Sequence, residues 1–385
     1  SGGPVYGTGE LRGTDHDDLA VGARLTLGGP GGPRHQVSAG LSRRAQDRLS
    51  PAIPPVVPES EERTVYTRWR LAWQAPIHRS GSTHVDVGAS GEGEWADNRS
   101  LLKLPPDFGG DVAGDYEEQR VSGGVFGAFR QERGAFLYEV ALRLDGASGL
   151  GAQLNPQLGV VWRPGSGATR LRASAGRATK LPSFFALSSP PALGGNPDLK
   201  PERTVGGEVG LEHHFAAARL EVGAGYFLNE YRDLVDFDFD LFLHVNRARV
   251  RTQGVEMTAR WQAHATLRLD AEVTWLEAED LSGPPLLYEP RWLGGGSLTW
   301  QPSPAWSLRL FARAVSRYLD NQIPVLDRDS VAGYGLVGFA GSWRFHRDWS
   351  VRTRIDNLAD RGHETLIGFP GSGRAVWVGL GWERS

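Results

Sequence analysis

The sequence predicts an all-β fold: a transmembrane, antiparallel, up-and-down β-barrel of about eighteen strands (range about 16–18), short turns at one end and long loops at the other. Three observations predict it. Segments roughly ten residues long alternate apolar and polar side chains, no apolar run reaches the ~18 residues a membrane-crossing helix needs, and short links between segments alternate with long ones.

The alternation is clearest in Thr266–Trp275, where Leu267, Leu269, Ala271, Val273 and Trp275 share one face and Thr266, Arg268, Asp270, Glu272 and Thr274 the other. His84–Glu92 sets Val85, Val87 and Ala89 against His84, Asp86, Ser90 and Glu92. Arg219–Asn229 sets Leu220, Val222, Ala224, Tyr226 and Leu228 against Arg219, Glu221 and Asn229, and Trp349–Asp356 repeats the pattern. A soluble β-sandwich also alternates, but its strands run about 5–6 residues, whereas strands tilted across a bilayer need about 9–11. The longer class fits. A closed barrel also explains why every strand is two-faced, with lipid outside and a wet lumen inside.

Short links fall at Gly28–Arg34, Pro76–Ser82, Gln131–Gly134, Pro164–Ala168, Phe215–Ala218, Gln262–Ala265, Gln301–Ala305 and His346–Asp348. Long ones fall at Asp47–Glu62, Asp97–Tyr116, Leu181–Glu202, Asp233–Val245, Glu279–Pro290, Leu319–Ser330 and Arg361–Gly373, with Gly146–Asn155 the shortest of the outer set. That is the layout of periplasmic turns and extracellular loops. Seventeen strands follow from Asp18 onward, and an eighteenth at Val5–Arg12, joined through Gly13–Asp17, makes the number even. Trp73, Trp95, Trp261, Trp275, Trp300, Trp343, Trp349 and Trp382 lie near strand ends and are expected in interfacial girdles rather than in a core.

Composition narrows function. Forty-two basic residues against 45 acidic ones leave a net charge of −3, so no global field draws in nucleic acid. Only Lys103, Lys180 and Lys200 are lysines, and the arginine and glycine excess is assigned no binding role. There are no cysteines, which removes disulfides and thiolate metal sites. The chain opens at Ser1 without a charged, then apolar, leader and its methionine is Met257, so it reads as processed or truncated.

Several segments resemble the TonB-dependent outer-membrane receptors, most closely the cobalamin and siderophore receptor group. The strongest is Arg177–Arg203, RATKLPSFFALSSPPALGGNPDLKPER, followed by Glu208-Val-Gly and similar to the family's PSF, GNP-LKPE and E-G run. Thr252–Glu256 (TQGVE) is similar to the family's GvE strand, and IDNLADRGHE (355–364) with GFPGSGRAVWVGLGW (368–382) to its closing strand pair. VSGGVFGAFRQER and LNPQLGVVWRP also fit, so the resemblance covers roughly Glu117–Trp382. Family members carry a plug domain and an energy-coupling box before a twenty-two-stranded barrel. Residues 1–385 are therefore expected to form a single barrel domain with the plug and about four strands absent, and Glu383-Arg384-Ser385 displaces the usual terminal aromatic.

In the strongest segment, Pro182, Pro190, Pro191, Pro197 and Pro201 exclude a ladder and Gly194-Gly195-Asn196 supplies turn chemistry, so an ordered outer loop is expected. Phe184, Phe185, Tyr231 and Phe237 are candidate ligand contacts by their location near outer loops, where the resemblance places ligand capture. Asp236, Asp238 and Asp240 alternate with Phe237 and Phe239, and three carboxylates on one face offer hard oxygen ligands to calcium; a solvated acidic strand end is the plainer reading. The same applies to Asp107, Asp111 and Asp115. No other cofactor is expected. His213 and His214 are adjacent, so on a strand they point to opposite faces. Gly333–Gly338 (GYGLVG) matches a dinucleotide fingerprint only in letters, since no helical pattern follows it. HExxH and GxSxG do not occur, and no catalytic residue is assigned.

The resemblance implies a Gram-negative outer-membrane receptor barrel for a scarce large nutrient of the siderophore, metal-chelate or cobalamin class. Its implied partners are outer-membrane lipid, the periplasmic energy-coupling protein TonB and the barrel-assembly machinery. A plugless passive pore is the physical alternative that a polar lumen permits, and a barrel hydrolase is a third reading.

Overall fold

The computed structural model describes residues 13–28, 32, 34–50, 58–238, 241–281, 283–320 and 328–383, most of them in strands. Among the described residues, seventeen long strands follow in chain order. The first eight are β1 (Gly13–Leu27), β2 (His35–Ser50), β3 (Glu59–Ser80), β4 (Thr83–Lys103), β5 (Tyr116–Arg133), β6 (Phe136–Ala147), β7 (Gly151–Trp162) and β8 (Thr169–Lys180). The rest are β9 (Glu202–Phe215), β10 (Leu220–Asp238), β11 (Leu243–His264), β12 (Leu267–Asp280), β13 (Trp292–Ser303), β14 (Trp306–Val315), β15 (Tyr334–His346), β16 (Trp349–Asp356) and β17 (Ala375–Trp382). Each pairs antiparallel with its chain neighbours in one continuous sheet, to which Val112–Ala113 adds a short ladder at the end of β4. Gly333–Gly338 runs into β15, and no helix follows it.

The pleat sorts the side chains as the alternation predicts. Val21, Val121, Leu158, Val205, Val378 and Leu380 stand outward and exposed, Val378 at 75%. In water such a surface would be an aggregation hazard; in a bilayer it is the face that meets lipid. Aromatic residues bound this band. Near the short turns Trp261, Trp300, Trp306, Trp343, Trp349 and Trp382 are exposed, and near the long loops Trp69, Trp95 and Trp292 are exposed, with Trp275 paired to Trp292. From Leu267 to Trp275, eight steps of a tilted strand climb roughly 20 Å, near the height of an outer-membrane apolar band. This exposure removes the core reading of the tryptophans other than Trp275, which is half-buried.

The ladder runs further than the sequence pattern implies. Gly13–Asp17, expected as a link, pairs with Ala45–Leu49, while the expected strand Val5–Arg12 lies outside the described residues. Asp47–Ser50, Glu59–Glu62 and Asp97–Lys103 are also ladder rather than loop, and within the expected Asp233–Val245 loop Asp236–Asp238 pairs with Leu243–Val245. These hairpin tips scatter apolar residues such as Leu49, Leu101 and Leu102 among charged ones, so they lack the strict alternation that marks a membrane strand. Backbone pairing and cross-strand ion pairs hold them instead, as where Lys103 reaches Glu59 at 2.6 Å and Glu61 at 2.8 Å.

Among the described residues β1 pairs only with β2, and β17 only with β16. Both run from the loop end to the turn end. Two edges of the same sense close a ring by antiparallel ladders only through an odd number of further strands.

Candidate functional site at the loop-end mouth

The inner wall is built from the opposite phase of the same strands. Arg120 of β5 lies directly across from Glu94 of β4, and Glu94 across from Arg68 of β3. Arg120 binds Glu94 at 2.8 Å, Tyr66 Oη donates to Glu94 at 2.5 Å, and Arg68 binds Glu92 at 2.6 Å. Further round, Arg143 pairs with Asp145 at 2.7 Å, and Asn155 donates to the same carboxylate at 3.0 Å. Guanidinium and carboxylate groups, across strands for Arg120–Glu94 and Arg68–Glu92 and along one strand for Arg143–Asp145, form charge-assisted pairs that keep this wall polar.

Across this wall runs a strap, residues 181–201, between β8 and β9. Its short helix α1 (Phe184–Ser188) is capped by Ser183, whose Oγ accepts from Ala186 N at 3.2 Å. Arg120 bolts the strap to β5: its guanidinium donates to the Pro182 carbonyl at 2.8 Å and lies 4.6 Å over the Phe184 ring. Ser188 Oγ donates to Glu118 at 2.7 Å. The far end is tied to β11, where Asn196 Nδ2 donates to the His244 carbonyl at 2.7 Å and His244 N donates to Gly194 O at 2.8 Å. A Cβ on Gly195 would sit 1.7 Å from the Ser189 carbonyl oxygen, which is why glycine is required beside Asn196. The proline-rich segment is thus the ordered outer loop its sequence implies, folded inward from β5 to β11.

The four candidate aromatics divide. Phe184 is buried on the strap's inner side. Phe185 and Phe237 come together around His244, their rings 5.6 and 5.2 Å from the imidazole, and Phe242 stands edge-on to Phe237 at 5.1 Å. Tyr231 sits between Thr204 and Val250 on the ladder, and among the described residues it makes no ring contact with this cluster. Asp236 accepts from Phe237 N at 2.8 Å and Asp238 from Leu241 N at 3.0 Å, while Asp240 lies outside the described residues. Asp115 accepts from Ser100 N at 3.0 Å, and Asp107 lies in the 3-10 turn Pro106–Phe108. No three acidic or imidazole groups converge in metal-ligand geometry among the described residues.

A second organised patch joins three other loops. Asp320, 2% exposed, accepts from Tyr288 Oη at 3.2 Å and from Ile367 N at 2.6 Å, beside the buried side chains of Val331 and Ile367. Burial, with Asp320 adding to it, pushes the Tyr288 phenol up to about 12. Burial also raises Glu289, whereas the hydrogen bond from Arg328 holds Glu364 below its ordinary value. Asn357 adopts a left-handed φ of 49° and donates to Arg361 O and Ser372 O, closing the IDNLADRGHE turn.

Arg120, His244, Phe242 and Asp320 were not candidates at the level of sequence. The parity of Val121 and Val125 points Arg120 inward, but nothing local links it to Pro182, 62 residues away.

The geometry defines an outer-membrane-type barrel with a polar lumen and a structured mouth. The chain belongs to the TonB-dependent receptor family: its barrel model, described as "TonB dependent receptor-like, beta-barrel", matches residues 1–358. The chain is 26% identical over 281 residues to the vitamin B12 transporter BtuB of Vibrio cholerae, covering 71% of this chain and 44% of that protein. It is 25% identical over 256 residues to the ferric enterobactin receptor PirA of Pseudomonas aeruginosa, covering 57% of this chain and 34% of that one. The fold of the copper transporter OprC superposes with a TM-score of 0.79 at 18% identity, covering 96% of this chain and 67% of that one. This chain spans less than half the length of these two curated relatives, which are a transporter and a receptor rather than enzymes.

Proposed function

We propose that the chain is the barrel of an outer-membrane receptor that takes up a scarce large nutrient of the siderophore, metal-chelate or cobalamin class, coupled to TonB in the periplasm. The observation that carries this is the mouth: a folded strap, anchored to the inner wall at β5 and β11, with aromatic side chains gathered on it. A passive pore needs a polar wall but no such built entrance. Family membership supports the energised reading, and the vitamin B12 and ferric enterobactin relatives support the nutrient class. Outer-membrane lipid is the partner of the apolar band, and the barrel-assembly machinery is the partner in insertion.

The test is saturable binding by the detergent-purified protein of ferric catecholates, ferric hydroxamates and cobalamin, read by tryptophan quenching. One class is expected to bind at micromolar concentration or below. Steady ohmic conductance in a planar bilayer with no saturable ligand would favour the passive pore. Turnover of lipid or peptide substrates would favour a hydrolase.

A further inference from the structure

The outward face of β9–β11 turns from apolar to charged at one height. From Phe215, Leu220 and Trp261 at the turn end up to Val205, Leu228 and Gln253, its outward positions carry no acidic side chain and, apart from His213, no basic one. Above them Arg251 stands between Glu230 and Glu279, compensated on both sides. The next outward row is Arg203 on β9, Arg232 on β10 and Arg249 on β11, each directly opposite the next. From Leu220 to Arg232 a tilted strand climbs roughly 30 Å, beyond an apolar band about 25 Å tall, so this row stands in the layer of lipid headgroups. Like charges directly opposite on neighbouring strands repel, and here carboxylates offset that only in part. One oxygen of Glu230 serves both Arg232, at 2.8 Å, and Arg249, at 2.6 Å, while Asp233 lies 3.9 Å from Arg203. The side chains of Arg203, Arg232 and Arg249 are 43, 58 and 48% exposed, and each guanidinium has five N–H donors, more than these pairs engage.

We propose that Arg203, Arg232 and Arg249 form a site on the outside of the barrel for the phosphate monoester of an outer-leaflet glycolipid. A monoester carries nearly two charges and three terminal oxygens, enough to engage guanidiniums from three strands, and guanidinium and phosphate match in bidentate geometry. The diester of an ordinary phospholipid has one charge and two such oxygens, and it satisfies the row less well. A phosphate bound there offsets the repulsion within the row and fastens β9, β10 and β11 to the leaflet. The site lies outside the lumen, so it does not depend on what the barrel admits.

Native mass spectrometry of the whole chain in detergent micelles tests this, with bisphosphorylated lipid A, the same lipid after dephosphorylation, and phosphatidylglycerol titrated one at a time. Wild type is expected to hold bisphosphorylated lipid A about tenfold or more tightly than either of the others, and to lose that preference as salt rises. Arg232→Gln and Arg249→Gln should each weaken it about tenfold, the worth of one charge-assisted hydrogen bond, while the lumen-facing Arg313→Gln should leave it unchanged. Each outward variant relieves repulsion between like charges, so its melting temperature without lipid should hold or rise, whereas a purely structural role would lower it. Equal retention of phosphorylated and dephosphorylated lipid A, a preference that salt does not weaken, no loss in either outward variant, or the same loss in Arg313→Gln overturns the site. Displacement of the lipid by an equal concentration of inorganic phosphate would mark a site for soluble anions and overturns the lipid assignment.

Discussion

At the scale of single residues, position relative to lipid decides the cost of a charge. Leu269 pairs with Leu298 on the outward face, while Arg268 faces the lumen and binds Asp270 at 2.7 Å. Leu269→Arg is expected to destabilise the barrel by about 2–4 kcal/mol, and Arg268→Leu by clearly less, in urea titrations of protein folded into vesicles. Equal tolerance of both would show that the facing is inverted. Asp320 makes a different prediction because it lies in a loop knot. Asp320→Ala leaves the Ile367 amide and the Tyr288 phenol without this acceptor, a local loss of about 1–3 kcal/mol. Amide exchange at Ile367 should accelerate while exchange in the barrel strands stays slow. The Arg328–Glu364 pair sets the pH response of the same loops. Glu364 is depressed in the folded state, so its contribution is present above the ordinary glutamate value and lost as pH falls through the folded one. Both side chains are partly exposed, so the effect is modest, and Arg328→Ala should remove the acid-induced rise in loop proteolysis.

At the scale of elements, the strap depends on Arg120, because one guanidinium serves Glu94, the Pro182 carbonyl and the Phe184 face together. Arg120 and Glu94 are about nine-tenths buried as side chains, so removing either partner strands the other. Arg120→Ala should cost about 3–5 kcal/mol and open residues 181–201 to protease, with the β-sheet circular dichroism intact. The Arg120→Ala, Glu94→Ala pair should cost less than the sum of the single changes. A strap equally resistant to protease in the single variant would mean that its other anchors, Ser188 to Glu118 and Asn196 to His244, suffice. TQGVE has an equally local reason: a Cβ on Gly254 would lie 2.4 Å from the Trp275 carbonyl oxygen and 2.7 Å from the Phe227 ring. Glycine there lets β10, β11 and β12 pass close together.

At the scale of the whole molecule, the chain should require detergent or lipid to stay dispersed and should give a β-type spectrum without helix. A monomeric, detergent-free fold would contradict the outward apolar band. The barrel, the facing of Leu267–Trp275 and the turn ends were legible in the sequence, because a strand's pleat has a period of two and lipid demands apolar side chains at one phase only. The hairpin tips above the band were not, since Asp47–Ser50 and Asp97–Lys103 read as loop when neither face must be greasy. Of the site, Phe185 and Phe237 could be nominated from their place near loops, but their meeting around His244 could not, and neither could the reach of Arg120 to Pro182. Periodicity is a local property written along one strand and survives any register. The hydrogen bonds that tie the strap to the wall join residues 48 to 70 positions apart, and only the closing of ladder on ladder decides which of them meet.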